Sequence, residues 1–353
     1  MRRTALHIGF AALLLLAFGS CIKREQPEEG AVTISFSTGE METKSDADDV
    51  ADGRKIYING DNPDLTVLIC SGNTIRAAYS NNGQGSAVVG SSTGSLQSIS
   101  GSTATIRFTN LAQGNYTVYA LANTGGLWAM TDGSNTVAAS GITAANIESL
   151  YFNPVSVPPT VNNRMPLTAK GTLTVNSGHN GTVSLNLKRC VARVTVYLIN
   201  NYQSDLTLHD FSCTVNGINP ANGYLIQRSP DYVSANSGPL TLNPEEEDNP
   251  FTLSASGEGS TKSFSAFVYP STAAGGYTCS VSFGLKKQDE QNPTTYTWNN
   301  MAVTNELAQR VTSLSRNQQL GVTIRISAGK MVSFNYEVHD WSNDSLEQDI
   351  HFD

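Results

Sequence analysis

Apolar and polar residues alternate along much of this chain with a period of two, which is the pattern of strands that bury one face. The first example is Ala31–Ser37, where Val32, Ile34 and Phe36 alternate with threonine and serine. Comparable runs predict strands at residues 65–69, 104–108, 115–122, 206–215, 262–269, 277–285, 322–326 and 331–338. One short helix is predicted at residues 142–150, with Thr143 as its cap. The pattern therefore predicts an all-β fold.

The alternation changes phase once, within residues 183–199. Apolar residues stand at odd positions from Val183 to Leu187 and at even positions from Cys190 to Leu198. A regular strand cannot change phase, because a slip of one residue moves every side chain to the opposite face. A bulge or a break is therefore predicted at residues 188–189.

Prolines interrupt the pattern near the middle of the chain. Pro154, Pro158 and Pro159 disfavour helix and favour extended backbone. A chain of 353 residues is also long enough for more than one core. We therefore expect an N-terminal domain over residues 31–160 and a C-terminal domain over residues 161–353.

The first twenty residues predict export. Arg2 and Arg3 precede an apolar run over residues 8–18, which is too short to span a bilayer and is typical of a secretory signal. Small residues then lead to Cys21, the predicted site of lipoprotein cleavage and acylation, and residues 21–30 form a polar tether. Phe18 stands where leucine is usual, so the alternative is an ordinary signal peptide beside a chance cysteine. Both interpretations predict an exported chain, with residues 1–20 as the signal peptide.

The charge of the chain argues against nucleic acid as a partner. The precursor has 22 basic and 30 acidic residues, and loss of the two signal-peptide arginines brings the net charge from −8 to −10. A diffuse negative charge repels nucleic acid and anionic membrane surfaces.

Four cysteines remain after Cys21, namely Cys70, Cys190, Cys213 and Cys279. Their spacing contains no CxxC pair of the kind that zinc and redox sites use. In an oxidising compartment they permit up to two disulfides, whereas their positions in strand-like runs also suit small buried residues with free thiols. The sequence leaves the pairing open.

No catalytic, metal-binding or cofactor-binding residue is predicted. The sequence contains no HExxH or Walker motif, and no GxGxxG follows a predicted strand. Residues 90–94 match GxSxG by letter, but they stand in a stretch rich in glycine, serine and asparagine that is predicted as hairpins and loops, so they do not form the nucleophile elbow between a strand and a helix. Glu337 and Asp340 resemble a glycosidase pair only in spacing, and acids beside a terminal strand are usually solvated. We therefore expect a protein that is not an enzyme.

Several segments follow one another in a recognisable order. They are the lipoprotein signal, Ala31–Ser37, and residues 64–70, 119–125, 187–194, 315–318 and 336–341. In this order they resemble the fimbrillin family, the lipoprotein pilins of Bacteroidales that build type V pili. No single segment is specific, and the joint order carries the resemblance. The resemblance implies two transthyretin-like β-sandwich domains with short helical insertions.

The resemblance also implies a route of assembly at the outer membrane. In the family, a trypsin-like protease cuts a surface lipoprotein after a basic residue and removes its first strand, which here contains Val32, Ile34 and Phe36. Lys44 stands where the family has an arginine, and Arg54 is the next candidate. If neither bond is cut, the lipid stays attached and the chain is an anchor, so stalk, tip and anchor roles are all open.

The C-terminus supplies the donor strand that this route needs. Apolar residues that alternate with polar ones make up the candidate donor, namely Val332, Phe334, Tyr336 and Val338, followed by Ile350 and Phe352 in the tail 342–353. The alternative is that residues 332–338 form the last strand of their own domain and only the tail is free. The implied partners are other pilin subunits, the outer membrane through the lipid, and a host or bacterial surface ligand.

A second function class fits the same signals, namely a glycan- or ligand-binding surface lipoprotein of a nutrient-uptake system. Such proteins stack sugars on exposed aromatic rings. Trp128, Trp298 and Trp341 are predicted in or near loops, where they could form such a platform. Isolated tryptophans in small β domains also fill the edges of cores.

Overall fold

The computed structural model describes residues 31–37, 64–82, 94–100, 103–123, 130–131, 136–137, 141–152, 166–220, 223–229, 231, 237–244, 248–255, 260–287, 290–327 and 331–340. Cys21, Lys44, Arg54, Ile350 and Phe352 lie outside the described residues, as do the signal peptide, the tether, the tail 342–353 and the proline segment at 153–165. No helix in the described part of the chain is long and apolar enough to cross a membrane.

The first half of the chain folds into a β-sandwich. The strands, in chain order, are β1 (Ala31–Ser37), β2 (Asp64–Ser71), β3 (Thr74–Asn82), β4 (Gly94–Ser100), β5 (Thr103–Thr109), β6 (Gly114–Ala122), β7 (Met130–Thr131), β8 (Thr136–Val137), β9 (Tyr151–Phe152), β10 (Leu167–Val175), β11 (Gly181–Asn186) and β12 (Lys188–Arg189). One sheet has the order β11-β1-β5-β4 and the facing sheet the order β12-β10-β6-β2-β3.

The core of this N-terminal sandwich lies between its two sheets, where the period-two pattern places the apolar residues. Val32, Ile34 and Phe36 of β1 are at most 1% exposed and belong to the same cluster as Val67 of β2 and Val118 of β6. Thr33 and Ser35 alternate with these residues and are half-buried. Burial of one face therefore explains the register of β1.

The second half of the chain forms a C-terminal sandwich. Its strands are β13 (Ala192–Asn200), β14 (Leu206–Asn219), β15 (Gly223–Tyr224), β16 (Gly238–Leu242), β17 (Phe251–Leu253), β18 (Thr261–Val268), β19 (Ser271–Thr272), β20 (Thr278–Lys287), β21 (Thr294–Ala302), β22 (Ser313–Leu314), β23 (Gln318–Ser327) and β24 (Met331–Asp340). The two sheets have the orders β18-β13-β23-β24 and β16-β14-β20-β21, and β17 also pairs with β14. The predicted all-β fold is confirmed.

The phase change at residues 188–189 marks the passage of the chain between sandwiches. β11 ends at Asn186, β12 pairs with β10 in the opposite sheet, and β13 starts the second sandwich at Ala192. The predicted break is confirmed.

The strand pairing moves the division between the two domains. β10 pairs with β6 and β11 pairs with β1, so both belong to the N-terminal sandwich although they follow residue 160. A boundary at residue 160 is therefore too early for the core. We place the division between Leu187, the last residue of the first core, and Ala192, the first residue of the second.

The segment predicted as a helix, residues 142–150, is a series of turns. The Ile147 amide donates to the Thr143 carbonyl at 3.1 Å, and Leu150 donates to Asn146 at 3.2 Å. The Thr143 hydroxyl accepts from the Asn146 amide at 3.2 Å, while Asn146 Oδ1 accepts from the Thr143 amide at 2.7 Å. This reciprocal cap confirms Thr143 as the start of a turn, but a regular helix does not follow.

A third apolar cluster lies between the two sandwiches. It joins residues of both halves and of the turn segment, namely Leu68, Cys70, Ala78, Tyr119, Leu121, Ile142, Ile147, Leu150, Cys190, Val191, Leu225, Ile226 and Tyr269. The small sheet β15-β9-β7-β8 belongs to the same region, because its strands come from both halves of the chain. We call this region the junction.

Candidate strand-exchange site

Strand β1 is the centre of the candidate site, and it is hydrogen-bonded on both sides. It pairs with β5 in antiparallel fashion over all seven residues and with β11 in parallel from Val32 to Ser37. Ile34 lies opposite Ile106 of β5 and Val183 of β11. β1 is therefore an interior strand of its sheet and not an edge strand.

The start of β1 is held by the turn that precedes β11. The Ala31 amide donates to Asn180 Oδ1 at 3.2 Å, and Val32 lies opposite Gly181. A Cβ atom at Gly181 would stand 2.7 Å from the Thr174 carbonyl oxygen of β10, so glycine permits a close approach of β11 to the facing sheet. This approach closes the sandwich beside β1.

Strand β24, which carries four of the candidate donor residues, is the last strand of its own sandwich. It pairs with β23 from Met331 to Asp340 and ends the sheet order on that side. Tyr336 is 7% exposed, and Val332, Phe334 and Val338 are half-buried against the C-terminal core. The structure thus places these four residues in their own domain, and Ile350 and Phe352 of the tail lie outside the described residues.

The end of β24 lies beside the junction. Asp340 pairs with Gln318 and His339 with Gln319, directly after the turn at Arg316 and Asn317. The backbone amide of Asn317 donates to the Val191 carbonyl at 2.9 Å, where the chain passes between sandwiches. β24 therefore ends on the junction side of the C-terminal sandwich.

A buried arginine ties the junction together. Arg316 forms a bidentate ion pair with Asp231, at 2.5 Å from Nε and 2.7 Å from the terminal nitrogen. It also donates to Thr168 Oγ1 of β10 at 3.1 Å and to the Tyr224 carbonyl at 3.1 Å. The Arg316 side chain is 1% exposed and that of Asp231 is 11% exposed, so the pair is largely shielded from water. One guanidinium thus connects the C-terminal sandwich to the N-terminal one.

A second arginine also connects the two sandwiches, and this one belongs to the N-terminal sandwich. Arg189 of β12 is 2% exposed and donates to Asn317 Oδ1 at 2.9 Å. Burial lowers the pKa of the Arg189 guanidinium to about 9, and the nearby charge of Arg193 adds to this shift. The segments around residues 189 and 316 carried the family resemblance, and they meet here.

Sequence reasoning missed the role of these junction residues. An arginine within an apolar run signals a buried charge that needs a partner, and Arg189 gave that signal. Arg316 did not, because it stands among polar residues in the segment 315–318. Asp231 gave none, because it follows a proline in a polar loop and only the fold brings it to Arg316.

A smaller polar cluster joins the turn segment to β10. Glu148 forms an ion pair with Lys170 at 2.7 Å and accepts a hydrogen bond from the Tyr119 hydroxyl at 2.5 Å. Hydrogen bonding to Lys170, and then to Tyr119, holds the pKa of the Glu148 carboxyl below its usual range. The Tyr119 pKa is raised, chiefly by burial and then by the bond to Glu148.

The four described cysteines are buried free thiols. Cys70 and Cys190 belong to the junction cluster, and Cys213 and Cys279 to the C-terminal core. Burial raises the pKa of the Cys70 thiol to about 11, so this thiol stays protonated at neutral pH.

Trp298 corrects one expectation about an aromatic platform. It lies inside β21 and not in a loop. Its ring packs on three other aromatic rings, with centroid separations of 5.6 Å to Phe283, 5.9 Å to Tyr296 and 5.3 Å to Phe334. It is half-buried at the edge of the C-terminal core and joins β21 to β24. Trp128 and Trp341 lie outside the described residues. Among the residues that the structure describes, no group of three or more His, Cys, Asp or Glu side chains is placed to hold a metal ion.

One comparison with a solved structure agrees with this architecture. A proposed cell adhesion protein from Bacteroides eggerthii superposes with a TM-score of 0.51 at 12% identity, over 89% of this chain and 96% of that chain. Another proposed cell adhesion protein, from Parabacteroides distasonis, gives a TM-score of 0.49 at 12% identity, over 90% of this chain and 98% of that chain. At such identity the first likeness concerns the fold alone. No curated protein sequence matches this chain.

The sequence also matches a family model described as the fimbrillin-A associated anchor proteins Mfa1 and Mfa2, over residues 25–345. This match spans both sandwiches, the junction and β24. The chain therefore belongs to the family of fimbrillin-A associated anchor proteins Mfa1 and Mfa2.

Proposed function

We propose that this protein is a structural subunit of a surface fimbrium that supports adhesion. It is carried to the outer membrane as a lipoprotein on Cys21 and joined to other subunits by strand exchange. Family membership supports the coarser part of this proposal, a surface-associated protein that associates with other fimbrial subunits and is not an enzyme. The position of β1 between β5 and β11 carries the finer part.

Loss of β1 would create a groove with two hydrogen-bonding edges. The backbone groups of β5 and β11 that face β1 would lose their partners, and the pockets of Val32, Ile34 and Phe36 would open to water. Burial of each of these side chains contributes roughly 1.5–3 kcal/mol to the stability of the folded state. An alternating apolar strand from another subunit would restore both the hydrogen bonds and the burial.

The tail after β24 is the segment that we assign to the groove of the next subunit. β24 itself is bound to β23 over its whole length, and Tyr336 is buried in its own core. The tail 342–353 carries Ile350 and Phe352 with one residue between them, so both fall on one face of a strand. His351 falls on the other face and supplies a matched control.

Processing decides the position of the subunit in the fibre. Cleavage after Lys44 or Arg54 separates β1 from the remainder of the chain and frees the groove. A chain that is not cut keeps both its lipid and β1, and acts as an anchor that donates its tail but accepts none. Two observations motivate the anchor alternative, namely the anchor proteins in the family description and the lysine at the expected processing position.

The decisive experiment treats the full mature chain with a trypsin-like protease and follows polymers on unboiled denaturing gels. We expect a ladder of polymers after cleavage and its loss in the variants Ile350→Asp and Phe352→Asp. His351→Ser should polymerise as the parent does. Polymerisation that survives removal of residues 342–353 would contradict the donor role of the tail.

N-terminal sequencing of material sheared from cells separates the roles. A start at Ser45 or Lys55 identifies a cleaved stalk or tip subunit, whereas a blocked, acylated Cys21 identifies the anchor. A monomeric, lipid-bearing chain that neither donates nor accepts a strand would contradict both and favour the nutrient-uptake function. The half-buried position of Trp298 gives that alternative no support.

A further inference from the structure

The C-terminal core contains two cysteines whose sulfur atoms face each other. Cys213 lies in β14 and Cys279 in β20, and both are 0% exposed. Their Sγ atoms are 3.5 Å apart. These two strands are central in their sheet, with β16 and β21 on either side. The pair therefore stands at the middle of the sheet that faces β24.

The register of the two strands explains why the thiols meet. Cys213 lies opposite Val281, and Cys279 lies opposite Val215. The cysteines are thus diagonal neighbours, two positions apart on the same inward face of an antiparallel pair. Diagonal neighbours in such a pair lie within reach of side chains that lean towards each other. The sulfurs are 3.5 Å apart, so a bond of about 2.05 Å requires the side chains, together with the backbone of the two strands, to move closer than in this arrangement.

The other two described cysteines have different surroundings. Cys190 Sγ lies 3.5 Å from the Thr168 hydroxyl oxygen and 3.7 Å from the Leu225 carbonyl oxygen. Cys70 packs among apolar residues of the junction. Both are buried thiols in the same chain and the same compartment, so they serve as internal references for the pair.

We propose that Cys213 and Cys279 are a disulfide modification site, formed in the envelope while the C-terminal sandwich folds. This inference rests on the proposed function, because it needs an exported chain. The oxidant is a protein disulfide of the thiol–disulfide exchange class. One cysteine thiolate attacks a sulfur of that disulfide, and the second displaces the oxidant from the mixed disulfide. The two thiols lose two protons and two electrons, and the oxidant leaves as a dithiol.

Burial dictates when the bond forms and how it behaves. Neither sulfur is accessible in the folded sandwich, so exchange takes place before β14 and β20 close on the core. Once formed, the bond is shielded from small thiols and links residues 66 positions apart in sequence. It would hold together the two central strands of the sandwich from which the tail departs, and it resists reduction in the folded state.

Peptide mapping tests the inference on the full chain isolated from the envelope of its cells. The protein is denatured without reductant, alkylated with iodoacetamide and digested with trypsin. We expect residues 194–228 to be linked to residues 263–286, with alkylation at Cys70 and Cys190 only. Alkylation of all four thiols in the envelope fraction would overturn the inference while leaving the proposed export intact.

A chain found only in the cytoplasm would overturn the proposed export. In that case, refolding the purified chain in glutathione disulfide tests whether Cys213 and Cys279 are placed to form a bond. A linked peptide pair would support the bond, and alkylation of all four thiols would rule it out.

Thermal unfolding supplies a second readout. Reductant present during unfolding should lower the midpoint of the parent by roughly 5–10 °C, since a long loop loses its crosslink. The variant Cys213→Ala/Cys279→Ala should show no response to reductant, whereas Cys190→Ala should respond as the parent does. Should the double variant fail to fold, the reductant response of the parent and the peptide map still decide the matter.

Discussion

Strands β1 and β24 stand near opposite ends of the chain and differ in the number of strands that bind them. β1 lies between β5 and β11, whereas β24 is bound to β23 alone. Their side chains follow the same difference. Val32 of β1 is 0% exposed, while Val332 of β24 is only half-buried. The two strands share an alternating sequence pattern, but β1 has more strand partners and more deeply buried side chains than β24.

This difference bears on how a fimbrial subunit can exchange a strand. Removal of an interior strand leaves two unpaired edges and a row of empty pockets, which only another strand fills well. Removal of an edge strand leaves one such edge and less apolar surface. Under the strand exchange proposed above, the N-terminal sandwich would be the acceptor and the C-terminal sandwich would carry the donor.

The largest expected effect concerns Arg316, the buried arginine that connects the two sandwiches. Arg316→Ala leaves the Asp231 carboxylate without its partner in a largely buried site and removes the bonds to Thr168 and Tyr224. We expect a loss of about 3–5 kcal/mol in the free energy of unfolding, the usual cost of breaking a buried pair. Urea unfolding measures it.

The control is an ion pair with much greater exposure. Lys262 and Asp248 are 3.3 Å apart, with side chains 29% and 59% exposed. Lys262→Ala should cost less than about 1 kcal/mol. Equal losses in the two variants would contradict a role of Arg316 in joining the sandwiches.

The next effect compares the two strands directly with one substitution. Val32→Ala removes two buried methyl groups from β1 and should cost roughly 2–3 kcal/mol, because the interior site cannot collapse. Val332→Ala removes the same groups from a half-buried edge position and should cost below about 1 kcal/mol. Urea midpoints, together with hydrogen exchange of the β5 and β23 amides, assign each loss to its sandwich. Similar losses would remove the distinction between acceptor and donor sandwiches.

The smallest effect concerns pH and the N-terminal side of the junction. The folded-state pKa of Glu148 lies below its usual value near 4.5, because Lys170 and Tyr119 stabilise the carboxylate. The stability that it adds is present above that usual value and is lost as pH falls through the folded pKa. Both side chains of the ion pair are over 40% exposed, so the effect stays below about 1 kcal/mol.

Thermal unfolding of the parent and of Glu148→Gln checks this expectation. The parent should be slightly more stable than the variant at neutral pH, and the difference should vanish once the carboxyl is protonated. A difference that stays constant across this range would assign the effect to packing and not to charge.

The strands were predictable where one face is buried and the other is not. The runs in β1 and β24 alternate cleanly because each covers a core on one side. β6 is buried on both faces, with Val118 in the N-terminal core and Tyr119 and Leu121 in the junction. The predicted helix at residues 142–150 was not formed as such, because Ile142, Ile147 and Leu150 are held by the junction cluster in successive turns. In so short a segment, apolar residues spaced by three and five positions do not distinguish a helix from a series of turns.

The domain division shows what local pattern cannot give. The prolines near residue 158 predicted a domain boundary, but β10 and β11 follow them in the chain and belong to the N-terminal sandwich. Strand partners far apart in sequence carry no local signal, and the parallel pairing of β1 with β11 joins residues about 150 positions apart. The phase change at residues 188–189 was the true marker, because a chain that leaves one core for another must change the face that it buries.

The sequence by itself determined the all-β class, the period of the buried faces and the family to which the chain belongs, because these depend on residue order alone. The tertiary structure decided that β1 is interior and β24 is at an edge, that Arg316 reaches Asp231, and that Cys213 faces Cys279. Each of these depends on which distant strands become neighbours. Hydrogen bonding and side-chain packing across sheets select those neighbours, and residue order specifies them only through the complete fold.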